Sequence, residues 1–306
     1  MGGTVGSKIK LLQKQNYSHI KEKDKIDKID KITINSLLNE TSTKFPSTSK
    51  DIDFLHQYHF TTKLVWTSNF SSPIEKVLSN GATVLDVSCG AGTYLLDLSS
   101  EYIFSEFVGV DKNQLFPTTI KPNNVNFFDV SVEKGLLFQD NYFDFVHLSI
   151  IEPLYDANQW DFIIDELLRV TKPGGWVEVR YDYEEKNIGS NFLKFIKGLV
   201  KLFVTNHIEF LPQKYIKSVL STDTRIEISK SENRKVKLGK HSDKTGILFE
   251  QLCSTFFTDV LGEMLIDLMD FDDINELNQE WKKTLKEFDE DKTIVDAYRI
   301  YAMKKN

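Results

Sequence analysis

The sequence predicts an α/β fold: a doubly wound, mainly parallel sheet with helices on both faces. Two observations carry that prediction. Between residues 81 and 185, short apolar runs suited to buried strands alternate with segments whose apolar residues recur at helical spacing. Strands separated in this way pair in parallel through right-handed crossovers. The chain is also long enough, at 306 residues with 41% hydrophobic content, to bury a sizeable core.

Residues 1–50 stand apart. They hold ten Lys against five Asp or Glu in a chain whose net charge is −7, and isoleucine falls at every third place in Lys25-Ile26-Asp27-Lys28-Ile29-Asp30-Lys31-Ile32. That period keeps no helical face, and few apolar groups are there to bury, so a disordered lysine-rich leader is expected. A Ser/Thr-rich linker from Asn39 to Lys50 ends it. Gly2 follows Met1, yet the place where an acylation signal needs Ser or Thr is Gly6, which disfavours myristoylation.

The folded domain is expected over 51–306, as leading helices (51–80), a core (81–185) and a C-terminal part (186–306). Phe54, Leu55, Tyr58, Leu64, Val65 and Trp66 recur at helical spacing and predict one or two helices. Pro73 then opens a short helix that stops at Asn80-Gly81. Strands follow at Thr83–Val87, Phe107–Val110, Val125–Phe128, Phe143–Leu148 and Trp176–Tyr181. Leu95, Leu96, Leu98 and Tyr102 mark a helix after the first strand. Trp160, Ile163, Ile164, Leu167 and Leu168 form one face of another, which Lys172-Pro173-Gly174-Gly175 ends. Further on, helices at 191–203 and 212–220, a strand at 225–229 and a closing strand at 297–303 are expected. Two acidic amphipathic helices, 246–269 and 273–289, are lid candidates. Their apolar residues (Leu248, Leu252, Phe256, Leu261, Leu265, Leu268) suit an acceptor pocket or a dimer seam, so a homodimer is one assembly open to the chain.

Several function classes drop out. No apolar run reaches the about 18 residues a membrane-spanning helix needs, and no signal-peptide pattern opens the chain. The two cysteines, Cys89 and Cys253, lack metal-ligand spacing, which points to a reducing compartment, the cytoplasm by default with the nucleus open. No metal is expected. Beyond the leader the chain is acidic, which disfavours specific nucleic-acid binding.

The chemistry concentrates in Asp86-Val87-Ser88-Cys89-Gly90-Ala91-Gly92, where a strand runs through a small-residue turn into a helix. Ligands of open α/β sheets bind at such strand ends. Gly90 and Gly92 are read as letting backbone approach a ligand, and Asp86 as anchoring the turn or meeting a cationic amino group. Asp111 closes the next strand, where a carboxylate suits a ribose diol. A dinucleotide fold needs G-x-G-x-x-G, absent here, and no phosphate loop occurs. This excludes a nicotinamide oxidoreductase and suits a ligand with an adenosine but no phosphate.

Asp86 to Gly92 resembles the first motif of class I S-adenosylmethionine-dependent methyltransferases. Gly109-Val110-Asp111 resembles the second, and Leu167 to Trp176 resembles the stretch leading into the fifth strand. The resemblance implies a seven-stranded Rossmann-like methyltransferase sheet with a C-terminal antiparallel strand, and S-adenosylmethionine as cofactor. It implies that Asp86, Ser88, Gly90 and Gly92 hold the methionine part, and that Asp111 binds the ribose with Lys112 beside the adenine. Asp129, Val130 and Ser131 would border the adenine, and Leu148 would close the site.

Two positions depart from the pattern. Ser88 stands where the family has glycine, at a cost of about 1–2 kcal/mol if that position needs a positive φ. Ser131 stands where relatives carry Asp or Asn, a loss of about 1 kcal/mol unless Asp129 substitutes. Methyl transfer needs a base only when the acceptor must lose a proton. The candidates are His147, Glu152, Tyr181, Asp182 and Tyr183, with His147 and Asp182 put forward. For His147 and Asp182, packing or plain solvent exposure competes with catalysis, and for Tyr58 and Trp66 core packing competes with covering the cofactor. Cys89 is not read as a nucleophile. The chain is thus expected to methylate an unidentified acceptor, a small molecule before a protein. The alternative is a catalytically silent module of this fold that binds a protein partner.

Overall fold

In the computed structural model, residues 49–150, 157–205 and 213–306 are described. The leader, and with it the readings for residues 1–48, lies outside them. One helix, α1 (Ser49–Trp66), precedes the core, followed by the short α2 (Glu75–Asn80). The core then alternates as β1 (Thr83–Val87), α3 (Thr93–Glu101), β2 (Glu106–Asp111), β3 (Val125–Asp129), β4 (Phe143–Ile150), α4 (Ala157–Val170) and β5 (Thr171–Lys186). The C-terminal part comprises α5 (Ser190–Thr205), α6 (Gln213–Thr222), β6 (Ile226–Lys237), α7 (Lys244–Ser254), a π-helical turn (Thr255–Val260), α8 (Gly262–Leu268), α9 (Ile274–Asp291) and β7 (Ile294–Lys304).

The seven strands form one sheet in the order β3-β2-β1-β4-β5-β7-β6. All pairings from β3 to β5 are parallel, and β7 runs antiparallel to both β5 and β6. The order reverses between β1 and β4, so the crevice for a ligand opens there. Strands β5 and β6 extend well past their sequence-read ends, because the antiparallel partner β7 supplies a ladder along their whole length. Lys172–Gly175 bulge out of the β4–β5 ladder, which passes from Phe143↔Thr171 to Phe145↔Trp176, and Gly174 there has φ +73°.

Each face of the sheet has its own core. Leu85, Val87, Val146, Leu148, Val177 and Val179 bury against Trp160, Ile163, Ile164, Leu167 and Leu168 of α4. On the other face Val84, Phe107 and Phe145 pack against α2 and α3. Side chains alternate along a strand, so Asp86, His147, Glu178 and Arg180 share this second face with Val84 and Phe145. A third cluster joins α7, the π turn, α8 and α9 to α5 and to Phe54 and Tyr58 of α1. Most of the apolar residues read as a pocket wall or dimer seam are spent in it: Leu252, Phe256, Leu261 and Leu265 are buried there and Leu268 packs against them, while Leu248 is half-buried outside the cluster.

Candidate active site

Strand register assembles the floor of a crevice at the carboxyl ends of β1, β2, β4 and β5. It sets Asp86 opposite His147 and Ser149 opposite Arg180. The crevice, with the open solvent at its mouth, spans about 940 Å³. One wall is the turn after β1, with Ser88, Cys89, Gly90 and Ala91. A second carries Asp111, Lys112 and Asn113 after β2, with Val130, Ser131, Val132 and Glu133 after β3. The roof is α1, through Leu55, Tyr58 and His59.

The turn after β1 is held by backbone geometry. Ser88, Gly90 and Gly92 all take positive φ, at 55°, 53° and 74°. The glycines serve the fold as much as any ligand. A Cβ on Gly92 would lie 2.4 Å from Cζ of Phe127, and one on Gly90 would lie 3.1 Å from Cδ1 of Leu55. Cys89 N–H donates to the carbonyl of Val110 at 3.0 Å. Gly90 N–H donates to Oδ2 of Asp111 at 2.9 Å, and Asn113 N–H donates to Oδ1 at 2.7 Å. Burial raises the Asp111 pKa, while these two N–H groups pull it back. Each oxygen keeps a second lone pair.

On the floor, His147 Nδ1 and Asp86 Oδ1 lie 2.7 Å apart, both buried. The ring of Tyr94 stacks on His147 at 4.0 Å. Burial lifts Asp86 to about 8 and pushes His147 well below its ordinary value, because neither charged form is solvated there. At neutral pH the carboxyl of Asp86 therefore keeps its proton and donates it to Nδ1 of neutral His147. Arg180 is buried beside them, with Nη2 and Nε on Ser149 Oγ (2.8 and 3.1 Å), Nη1 on Thr62 Oγ1 (2.9 Å), and its guanidinium over Tyr58 at 4.9 Å.

A buried ion pair fixes α1 above this floor. Glu178 accepts from the backbone of Ser71 and Ser72 (2.8–3.0 Å) and from Ser72 Oγ (2.7 Å). Arg299, 3.6 Å from Glu178, donates to the Ser68 carbonyl at 2.8 Å and lies over Trp66 at 4.5 Å. The segment after α1 is thereby pinned to the sheet.

A family model described as a methyltransferase domain matches residues 84–175, the span that builds this floor. Residues 84–175 thus carry a methyltransferase domain. Among curated proteins it is similar to the N-methyltransferase verN of Clonostachys rogersoniana, at 25% identity over 63% of this chain and 68% of that one. It is also similar to the secondary metabolism regulator LAE1 of Cochliobolus heterostrophus, at 25% identity over 44% and 43%. Among solved structures, the fold resembles phosphoethanolamine N-methyltransferase 2 of Haemonchus contortus in complex with S-adenosylmethionine (TM-score 0.51, 17% identity, 89% of this chain and 60% of that one). It likewise resembles a methyltransferase from an antibiotic biosynthesis pathway of Anabaena variabilis (TM-score 0.51, 14% identity, 80% and 97%). The chain thus spans under half of LAE1 and about three-fifths of the Haemonchus chain.

The crevice fits a ligand that carries an adenosine without phosphate. Asp111 is fixed by backbone with lone pairs to spare, and Val130, whose N–H donates to the Asp111 carbonyl at 3.1 Å, continues the same wall into Ser131 and Val132. Of the residues the sequence suggested for the cofactor, Asp86, Ser88, Gly90, Asp111, Lys112, Val130 and Ser131 line the crevice. Gly92, Asp129 and Leu148 do not. Gly92 abuts Phe127. Asp129 is exposed and accepts from Gln114 Nε2 at 2.7 Å. Leu148 points to the opposite face of the sheet, into the core against α4, because the residues facing the crevice from β4 are its neighbours His147 and Ser149.

Among the base candidates, His147 lies in the floor under Tyr94, and Tyr181 is buried in the core. Glu152 and the side chains of Asp182 and Tyr183 lie outside what is described. Tyr58 both lines the crevice and packs in the third cluster, whereas Trp66 is buried away from the lining residues. The expected lid is corrected too: among the described residues, none from 246–289 lines the crevice. Those helices pack on α1, and α1 is the cover. Sequence reasoning missed Leu55, His59, Tyr94, Asn113, Glu133, Ser149 and Arg180. Ser149 and Arg180 were recoverable from strand alternation, two places beyond His147 and Glu178. Nothing local marked the α1 residues.

Proposed function

We propose that this chain methylates a nitrogen of a small-molecule acceptor held between the sheet edge and α1. The observation that carries the reading is the crevice itself: a backbone-clamped Asp111 and a narrow glycine turn on one side, with a roof of Tyr58 and His59 opposite. When bound, the cofactor supplies an electrophilic methyl group. Asp111 would accept from the ribose hydroxyls, and Val130, Ser131 and Val132 would border the adenine. The 88–91 turn and the start of α3 would flank the methionine part, with Tyr58 excluding water from above. In-line displacement gains most from such positioning.

A small acceptor is favoured because the crevice is roofed and the two cations lining it, Lys112 and Arg180, already face acidic or aromatic neighbours. Nitrogen is favoured by the likeness to an enzyme named as an N-methyltransferase. The cytoplasm, with the nucleus open, is proposed as its location; no helix among the described residues is long and apolar enough to cross a membrane. The domain is proposed to run from about residue 51 to the end of the chain.

The test is calorimetric titration with S-adenosylmethionine and S-adenosylhomocysteine, followed by labelled cofactor with the small-molecule fraction of a cell extract. Binding with label entering a metabolite upholds the reading. No heat at millimolar ligand would leave the silent module in its place.

A further inference from the structure

Asp97, on α3, gathers three donors from the roof: His59 Nε2 at 3.0 Å, Lys63 Nζ at 2.6 Å and Asn69 Nδ2 at 3.0 Å. Burial favours its neutral form, but these three hydrogen bonds hold its pKa well below the ordinary carboxylate range. An ionised carboxylate only accepts, so Nε2 of His59 must carry the proton. In the neutral ring, Nδ1 then carries the lone pair. The residue is 3% exposed, its ring lines the crevice, and Nδ1 is buried with no hydrogen-bond partner among the described residues. Buried polar atoms rarely go unpaired. The missing partner is a donor, and the crevice is where one can enter.

Resting on the methyl-transfer reading above, we propose that His59 is the catalytic base of this enzyme, with Asp97 as its positioning residue. The acceptor's N–H bond breaks and its proton passes to Nδ1, while the electron pair stays on nitrogen. That pair forms the new N–C bond as the methyl carbon leaves sulfur, the C–S pair remaining on the thioether. His59 then returns its proton to water. Burial lowers the His59 pKa, with the Asp97 hydrogen bond opposing, so the ring is a free base at neutral pH. The other groups facing it are Lys63 on its own helix, Tyr94 from α3, whose ring meets it edge-on at 6.0 Å and whose hydroxyl burial keeps protonated, Arg180 from β5, and Asp86 and His147 in the floor. None offers a competing lone pair: Asp86 is engaged with His147, and Arg180 is a cation.

The experiment has two arms on the full chain. In the first, nitrogen NMR of ring-labelled wild type saturated with S-adenosylhomocysteine reads the His59 tautomer. A protonated Nε2 with a bare Nδ1 supports the dyad, and a protonated Nδ1 overturns it whatever the activity shows. In the second, methyl transfer from labelled cofactor into an extract's small-molecule fraction is followed against pH. His59→Gln should lower the rate about 100-fold or more, as loss of a general base does, with S-adenosylhomocysteine affinity within about twofold. Asp97→Asn removes the contact that raises the His59 pKa, so the inflection of the rate profile should move to lower pH. Equal rates in wild type and His59→Gln overturn the dyad alone. Cofactor binding without any transfer by wild type overturns the enzymatic reading, and the base with it.

Discussion

Replacing Asp111 tests the cofactor site most directly, because the structure separates its two duties. Its oxygens already accept Gly90 N–H at 2.9 Å and Asn113 N–H at 2.7 Å, so it anchors the turn whether or not a ligand is present. Its remaining lone pairs would serve a ribose diol. Hydrogen bonds to a charged acceptor contribute about 1.5–3 kcal/mol each. Asp111→Ala should therefore weaken S-adenosylhomocysteine binding by about 2–4 kcal/mol, roughly 30-fold to 1,000-fold in Kd. The same substitution orphans two backbone N–H groups, costing about 1–3 kcal/mol of stability for each that stays dry. At about 2–4 °C per kcal/mol for a domain of this size, Tm should fall visibly. Asp111→Asn keeps the shape and one acceptor oxygen but turns its NH2 toward a backbone donor, and should fall between wild type and alanine on both scales. Calorimetry with S-adenosylhomocysteine and thermal melts of the three proteins decide the matter. A lowered Tm with affinity unchanged within about threefold would refute the reasoning. Asp111 would then be a turn anchor only, with the ribose elsewhere.

Three further outcomes follow from the same structure. Asp86 ionises near its ordinary 3.8 when unfolded but near 8 when folded, so the folded chain holds an extra proton between those values and loses stability as pH rises through them. Asp86→Asn removes that slope, and its unfolding free energy in urea should gain on wild type by about 2 kcal/mol or more between pH 5 and pH 8, an unchanged difference counting against the buried acid. Glu178→Ala leaves Arg299 charged and buried and strips the Ser71–Ser72 donors of their acceptor. It should cost about 3–5 kcal/mol in denaturant unfolding, and a loss below about 1 kcal/mol would mean that α1 is held by other contacts. Ser88→Gly should leave S-adenosylhomocysteine affinity within about threefold, since serine already holds the left-handed backbone at a cost near 1–2 kcal/mol. Gly92→Ala, by contrast, forces a Cβ against Phe127 and should lower stability by about 2 kcal/mol or more. Comparable melts for these two variants would contradict that contrast.

What the sequence by itself determined is what short-range physics controls. Apolar periodicity located β1 to β5 and the helices between them, since burial on a sheet or helix face imposes period 2 or 3.6 over a few residues. Asp86, Gly90 and Asp111 were legible because they sit at strand ends, where a parallel sheet must place its ligand. Even the strain at Ser88 was foreseeable, the backbone there being set by the turn. The tertiary structure alone decided the rest. Leu148, placed at the site by the family resemblance, faces the core against α4 instead, since alternation along β4 turns His147 and Ser149 to the crevice. The helices after β6 were read as a lid, yet they spend their apolar faces on one another and on α1. Only that packing, with the Glu178–Arg299 anchor, brings His59 over the crevice and Asp97 up behind it. The residues of that pair are 38 apart in the chain and lie on different helices. No local pattern encodes such a contact, because its energy is realised only once the sheet, α3 and the C-terminal helices have fixed where α1 lies.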